Sequence, residues 1–136
     1  MIPSAPCHPF RLLLVDDHEV VRQGLSRLLA DNVEIEVVGE AADGIAALEQ
    51  VRRLHPDLVL MDSSMPRMNG VEATRQLRKL APGVQVIGLS MYEEEDRASA
   101  MLAAGAAAYL PKSGATQTLI ETILKVHAAA RERVES

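Results

Sequence analysis

LVLMD, residues 58–62, is an almost unbroken apolar run that stops on a carboxylate. Short runs of this kind suit a strand covered on both faces of a parallel sheet. Three more runs in the chain end in the same way. Leu12-Leu13-Leu14-Val15 stops at Asp16-Asp17, Val84 to Leu89 stops at Ser90, and Ala106 to Leu110 stops, after Pro111, at Lys112. If all four are parallel strands of one sheet, three carboxylates, a hydroxyl and an ammonium converge on one edge. Open parallel sheets carry their sites there, outside the carboxyl ends of the strands.

The segments between these runs read as helices, and the alternation argues for βαβ units. The first strand covers Arg11 to Val15, and a helix follows from about Glu19 to Ala30 with Val21, Leu25, Leu28 and Leu29 on its apolar stripe. Glu34 to Gly39 alternates in polarity and suits a more exposed strand near a sheet edge. Asp43-Gly44 caps a second helix, Ile45 to Leu54, which His55-Pro56 terminates. Helices from Val71 to Leu80 and from Glu93 to Ala104 follow the next two strands, and Ser113-Gly114 opens a last helix carrying Leu119, Ile120, Ile123 and Leu124. Right-handed crossovers restrict how five such units wind. The doubly wound order 2-1-3-4-5 makes the first and third strands neighbours, which brings Asp16, Asp17 and Asp62 side by side.

Composition sets further bounds. At 136 residues the chain fits one domain, divided into a flexible leader over 1–9, a folded unit over 10–130, and a tail or start of a linker over 131–136. No apolar run approaches the ~20 residues that span a bilayer, and the start lacks the regions of a signal peptide, so a cytoplasmic protein is expected. Cys7 is the single cysteine, which excludes an internal disulfide. The formal net charge is -5 with no basic cluster, so direct contact with nucleic acid by this domain is not expected.

Three close carboxylates repel one another, and a divalent cation removes that cost. Mg²⁺ wants hard oxygen ligands and keeps several waters, binding through one or two carboxylates and a phosphate oxygen. Asp17 and Asp62 suit direct ligation, Asp16 acts directly or through water, and the backbone carbonyl of Ser64 is a further candidate ligand. Lys112 is one of three lysines and falls beside the fourth strand, within reach of Asp62 or a group bound there. An ammonium and a metal together neutralise charge on a transferring phosphoryl group. Ser90 is then a hydroxyl donor to a phosphoryl oxygen, and Asp62 a nucleophile that accepts phosphate as an acyl phosphate.

The segments LLLVDDHEVVRQGL (12–25), PDLVLMDSSMPRMNG (56–70), VIGLSMY (86–92) and AGAAAYLPKS (104–113), in this order and at these separations, resemble a response-regulator receiver domain. The resemblance runs from Phe10 to about Ala128. It implies a flavodoxin-like, CheY-like α/β fold with helices on both faces of a five-stranded parallel sheet. It also implies an acid pair at Asp16 and Asp17, a phosphoacceptor at Asp62, a switch hydroxyl at Ser90, a catalytic lysine at Lys112 and an aromatic switch at Tyr109. The implied cofactor is Mg²⁺, and the implied donor is a sensor histidine kinase or a histidine phosphotransfer protein. A homodimer through the face of helix four, strand five and helix five, or through helices one and five, is a further implied partner. No enzyme activity is implied beyond self-catalysed phosphotransfer and autodephosphorylation. The DDH start, GLSMY and the Lys-Ser pair lean toward the subfamily with C-terminal LuxR/NarL-type helix-turn-helix domains, which implies transcriptional control through a DNA-binding domain outside these residues. Many members carry proline directly after the lysine, whereas here Pro111 precedes Lys112 and Ser113 follows it.

Plainer roles compete at several positions. Asp16 is the better candidate of the acid pair merely to cap helix one, and Ser90 to cap helix four. Tyr109 suits a half-buried sheet position. The run Glu93 to Asp96 fits dipole compensation in a first helical turn. His18, His55 and His127 read as surface histidines, and the stripe of the last helix as core. Two other functions compete with this one: a phosphorylation-independent interaction module, which the full acid, hydroxyl and lysine set argues against, and a metal-dependent phosphatase. Such enzymes usually need a second acid two residues past the nucleophile, where this chain has Ser64.

Overall fold

A computed structural model describes residues 9–63, 65, 67–90, 95–112 and 114–135. The leader up to residue 8 and the candidate ligand Ser64 lie outside them. Five strands and five helices alternate: β1 (Phe10–Val15), α1 (Glu19–Ala30), β2 (Ile35–Ala41), α2 (Gly44–Leu54), β3 (Leu58–Asp62), α3 (Gly70–Leu80), β4 (Gln85–Ser90), α4 (Glu95–Ala104), β5 (Ala108–Pro111) and α5 (Thr116–Glu135). The strands are parallel in the order β2-β1-β3-β4-β5, as the crossover argument expects. The last helix continues through Glu135, past the expected unit boundary at residue 130.

Burial follows the period-two geometry of strands, in which successive side chains leave the sheet on opposite faces. Phe10, Leu12 and Leu14 of β1, Leu58 and Leu60 of β3, and Ile87 and Leu89 of β4 point to one face, where Leu29 of α1 and Ile123 of α5 cover them. Leu13, Val15, Val59, Met61 and Val86 point to the other, against Ala47 and Val51 of α2, Ala73 and Leu77 of α3, and Met101 of α4. Both faces of β1 and β3 are therefore sealed, which explains why those strands read as continuous apolar runs. The edge strand β2 leaves Glu36 and Glu40 exposed. Ile123 is fully buried, so the stripe of the last helix is core.

Side-chain caps open α2 and α3, Asp43 accepting from the Ala46 amide and Asn69 from the Glu72 amide. The expected cap of α1 is corrected. His18 occupies the N-cap position without a side-chain hydrogen bond, and neither aspartate serves there. His127 is also no free surface histidine: its ring stacks on Phe10 with centroids 4.0 Å apart, and the burial lowers its pKa below the ordinary histidine value. Among the described residues no helix is long and apolar enough to cross a membrane.

Candidate functional site

The strand ends are brought level by the parallel register. Val15 pairs with Met61, Asp62 with Leu89 and Ser90 with Pro111, so Asp16, Asp62, Ser90 and Lys112 all emerge along one edge of the sheet. Backbone bonds extend this alignment past the strands: Asp16 N–H donates to Ala41 O at 3.0 Å, Ser63 N–H to Leu89 O at 3.0 Å and Lys112 N–H to Ser90 O at 2.6 Å. The residues most distant in sequence are thus fixed by the same ladder that holds the core.

Asp16, Asp62 and Ser90 are buried at 2–3% exposure, while Asp17 lies at the rim. Carboxylate oxygens of Asp16, Asp17 and Asp62 and a ring nitrogen of His18 lie within 4.8 Å of one another. The Lys112 ammonium, itself 8% exposed, reaches Asp16 Oδ2 at 2.5 Å and Asp62 Oδ2 at 3.3 Å. Its shorter contact is to Asp16, whereas the sequence pointed to Asp62. Asp16 Oδ2 is buried, has the Lys112 ammonium as its ion-pair partner, and accepts no hydrogen bond among the described residues. Three acidic side chains face one lysine in this cluster. Buried charges are normally paired, and the excess of negative charge and oxygen donors fits a hard divalent cation.

Asp16 Oδ1 accepts from the His18 amide at 2.9 Å, and the His18 ring Nδ1 lies 3.2 Å from Asp16 and 3.1 Å from Asp17. Arg22 adds a second tie: one guanidinium nitrogen donates to the Asp16 backbone carbonyl and Nε to Glu40 Oε1 at 2.8 Å. Neither His18 nor Arg22 was singled out from the sequence as a site residue. The signal for both was positional, one immediately following the acid pair and one a turn into the helix it leads.

Tyr109 is partly buried, and its hydroxyl donates to Ser63 Oγ at 3.2 Å. Gly88 makes room for it, because a Cβ at that position would sit 2.6 Å from Tyr109 Cδ1 and 2.7 Å from Met101 Cε. The ring therefore already lies inward over β4. The expected acidic run begins outside the described residues, at Glu93 and Glu94.

With this geometry established, known proteins supply comparison. The response regulator receiver domain family matches residues 12–124. The chain is 41% identical over 121 residues to the response regulator GacA of Pseudomonas viridiflava, covering 89% of this chain and 56% of that protein. It is 42% identical over 113 residues to the transcriptional regulatory protein DegU of Brevibacillus brevis, covering 83% and 48%. The chain thus spans about half the length of the curated relatives it matches. Among solved structures, a LuxR-family two-component response regulator from an Aurantimonas species superimposes with a TM-score of 0.85 at 35% identity, covering 89% of this chain and 86% of that one.

Proposed function

The chain belongs to the response regulator receiver domain family, and from that membership we propose that Asp62 accepts a phosphoryl group and that the domain switches its surface in response. The observation that carries this reading is the Asp62 carboxylate, buried and 3.3 Å from the Lys112 ammonium, inside an acid cluster within 4.8 Å. The donor is a phosphohistidine on a sensor kinase or phosphotransfer protein. An Asp62 oxygen attacks phosphorus, the P–N bond breaks as the P–O bond forms, and the imidazole leaves with the electron pair. Lys112 balances charge on the phosphoryl oxygens, and the Ser90 hydroxyl donates to one of them. Asp16, Asp17 and Asp62, with the Ser64 carbonyl, would hold Mg²⁺, which supplies charge neutralisation to the transferring group.

The acyl phosphate adds about -1.5 to -2 charges and three strong acceptors beside Lys112 and Ser90. Drawing those two groups inward moves the ends of β4 and β5 together, because Lys112 N–H is bonded to Ser90 O. Tyr109, already turned in toward Ser63, belongs to the form that phosphorylation would favour. A shift from a minor to a dominant population needs several kcal/mol of preferential binding. The proposed setting is the cytoplasm, the proposed output is transcription through a DNA-binding segment, which the name of the DegU relative, a transcriptional regulatory protein, supports as far as transcription, and no turnover of an external substrate is proposed beyond self-catalysed transfer and loss of phosphate. Incubation with acetyl phosphate and Mg²⁺ tests the reading by intact mass. A phosphoryl adduct that is labile to hydroxylamine and absent from Asp62→Asn is expected; an adduct that persists in that variant, or none in the wild type, overturns it.

A further inference from the structure

The loop that leaves Asp62 is held from an unexpected direction. Asp43, the N-cap of α2, is buried and uses both carboxylate oxygens. Oδ1 accepts from the Ala46 amide at 2.9 Å, while Oδ2 accepts from Arg67 Nε at 2.9 Å and from the adjacent guanidinium Nη2. The cap bond and the arginine hold this carboxyl below the usual aspartate range. Next to it, Gly44 N–H donates to Met68 O at 3.0 Å, and a Cβ at Gly44 would lie 2.6 Å from that same oxygen. At the other end of the loop Gly70 N–H donates to Ser63 O at 3.3 Å, and a Cβ there would overlap the Asp62 carbonyl.

Arg67 adopts φ 64°, a left-handed conformation that costs a non-glycine residue backbone energy. Its side chain is 62% exposed, so the ion pair by itself gives little stability. A strained backbone kept for a weakly stabilising bond points to a role in geometry. We infer that Asp43 and Arg67 are positioning residues: their ion pair ties the chain at Arg67 and Met68 to the start of α2, and, through the Gly70 bond to Ser63, holds the end of β3 that presents the Asp62 carboxylate to the pocket. Supporting partners of this kind orient ligands they never touch.

The inference rests on Asp62 being the Mg²⁺-dependent phosphoacceptor, and the test separates the two. Arg67→Gly removes the guanidinium and relieves the left-handed backbone, Arg67→Lys restores a cation, and Asp43→Asn keeps a cap oxygen for Ala46 while losing the charge. For each, Mg²⁺ affinity is measured by calorimetry, phosphorylation from acetyl phosphate at saturating Mg²⁺ is timed, and the thermal midpoint is taken in EDTA. Arg67→Gly and Asp43→Asn are expected to weaken Mg²⁺ binding about tenfold, Arg67→Lys to recover part of it, and Arg67→Gly to melt no earlier than wild type. Wild-type affinity in both variants, or a loss of affinity in Arg67→Gly accompanied by a lower midpoint in EDTA, overturns the positioning role. Failure of the wild type to take up phosphate would instead sink the reading of Asp62.

Discussion

Replacing Asp17 with asparagine should make the metal-free protein more stable and the metal-loaded protein less so. Asp17 sits within 4.8 Å of both Asp16 and Asp62, and Lys112 pairs with those two acids. At that separation each like-charge pair costs between about 1 kcal/mol in a water-like medium and about 3.5 kcal/mol at an effective dielectric of about 20. The Asp17 side chain is 28% exposed, which holds each pair toward the lower bound. The Lys112 field offsets part of the sum, leaving a net gain of about 1–2 kcal/mol for Asp17→Asn. In a chain of this length that raises the midpoint by about 4–8 °C. Mg²⁺ reverses the order. A ligand at about a hundredfold excess over its Kd stabilises the fold by about 2.7 kcal/mol, and the variant, short of one carboxylate, forgoes most of it. The assay is thermal unfolding by circular dichroism near pH 8, where histidine is ordinarily neutral, in EDTA and across a Mg²⁺ titration. The two midpoint curves should cross. A variant less stable than wild type in EDTA, or two curves rising in parallel, would refute the electrostatic account of the pocket.

Lys112→Met should destabilise the metal-free fold by about 3–5 kcal/mol, because it leaves the buried Asp16 and Asp62 carboxylates without their cation; urea unfolding in EDTA measures it, and Mg²⁺ should restore part of the loss. Ile123→Ala opens a cavity beneath β1, β3 and β4, where Ile123 is fully buried, and should cost about 2–5 kcal/mol in the same assay without altering Mg²⁺ affinity. His127 has a folded pKa lowered by burial, with Arg131 acting in the same direction and Asp57 and Glu34 opposing, so the unfolded chain binds more protons near 6.5. Its contribution is therefore complete above that pH and is lost as pH falls from 6.5 toward the folded value. His127→Phe keeps a ring against Phe10 and should flatten the stability profile over that window, as read from denaturant midpoints; an unchanged slope would count against the burial.

How much of this was legible in the sequence depended on whether the cause was periodic. The strands announce themselves because β1 and β3 bury both faces, and the order followed from right-handed crossovers and the switch-point rule. The convergence of Asp16, Asp17, Asp62, Ser90 and Lys112 followed from that order alone. Less visible were bonds between elements with no period in common. Asp43 and Arg67 are 24 residues apart and meet because the loop after β3 folds over the start of α2. Arg22 meets the Asp16 carbonyl because α1 begins so soon after β1. Asp16 resembles a helix cap in the sequence, yet its side chain bonds the amide two residues on and turns inward to Lys112. His127 resembled a surface histidine because nothing local marks Phe10, at the other end of the chain, as its partner.

These two kinds of feature also divide the energetics. The alternating apolar side chains of β1, β3 and β4 stabilise the sheet from both faces, while the edge gathers three acids around one lysine, an arrangement whose like charges oppose folding. Asp17→Asn and Lys112→Met probe that opposition from its two sides. The first removes a charge from the side in excess and the second removes the charge that balances it, so their effects in EDTA should have opposite signs. If instead both variants destabilise to a similar degree, the pocket is an ordinary packed network in which any change is harmful. It would then hold no unfavourable charge for a cation or a phosphoryl group to relieve. If the signs differ, the same excess of negative charge supports both the proposed binding of a divalent cation and the proposed response of β4 and β5 to a charge placed beside Lys112.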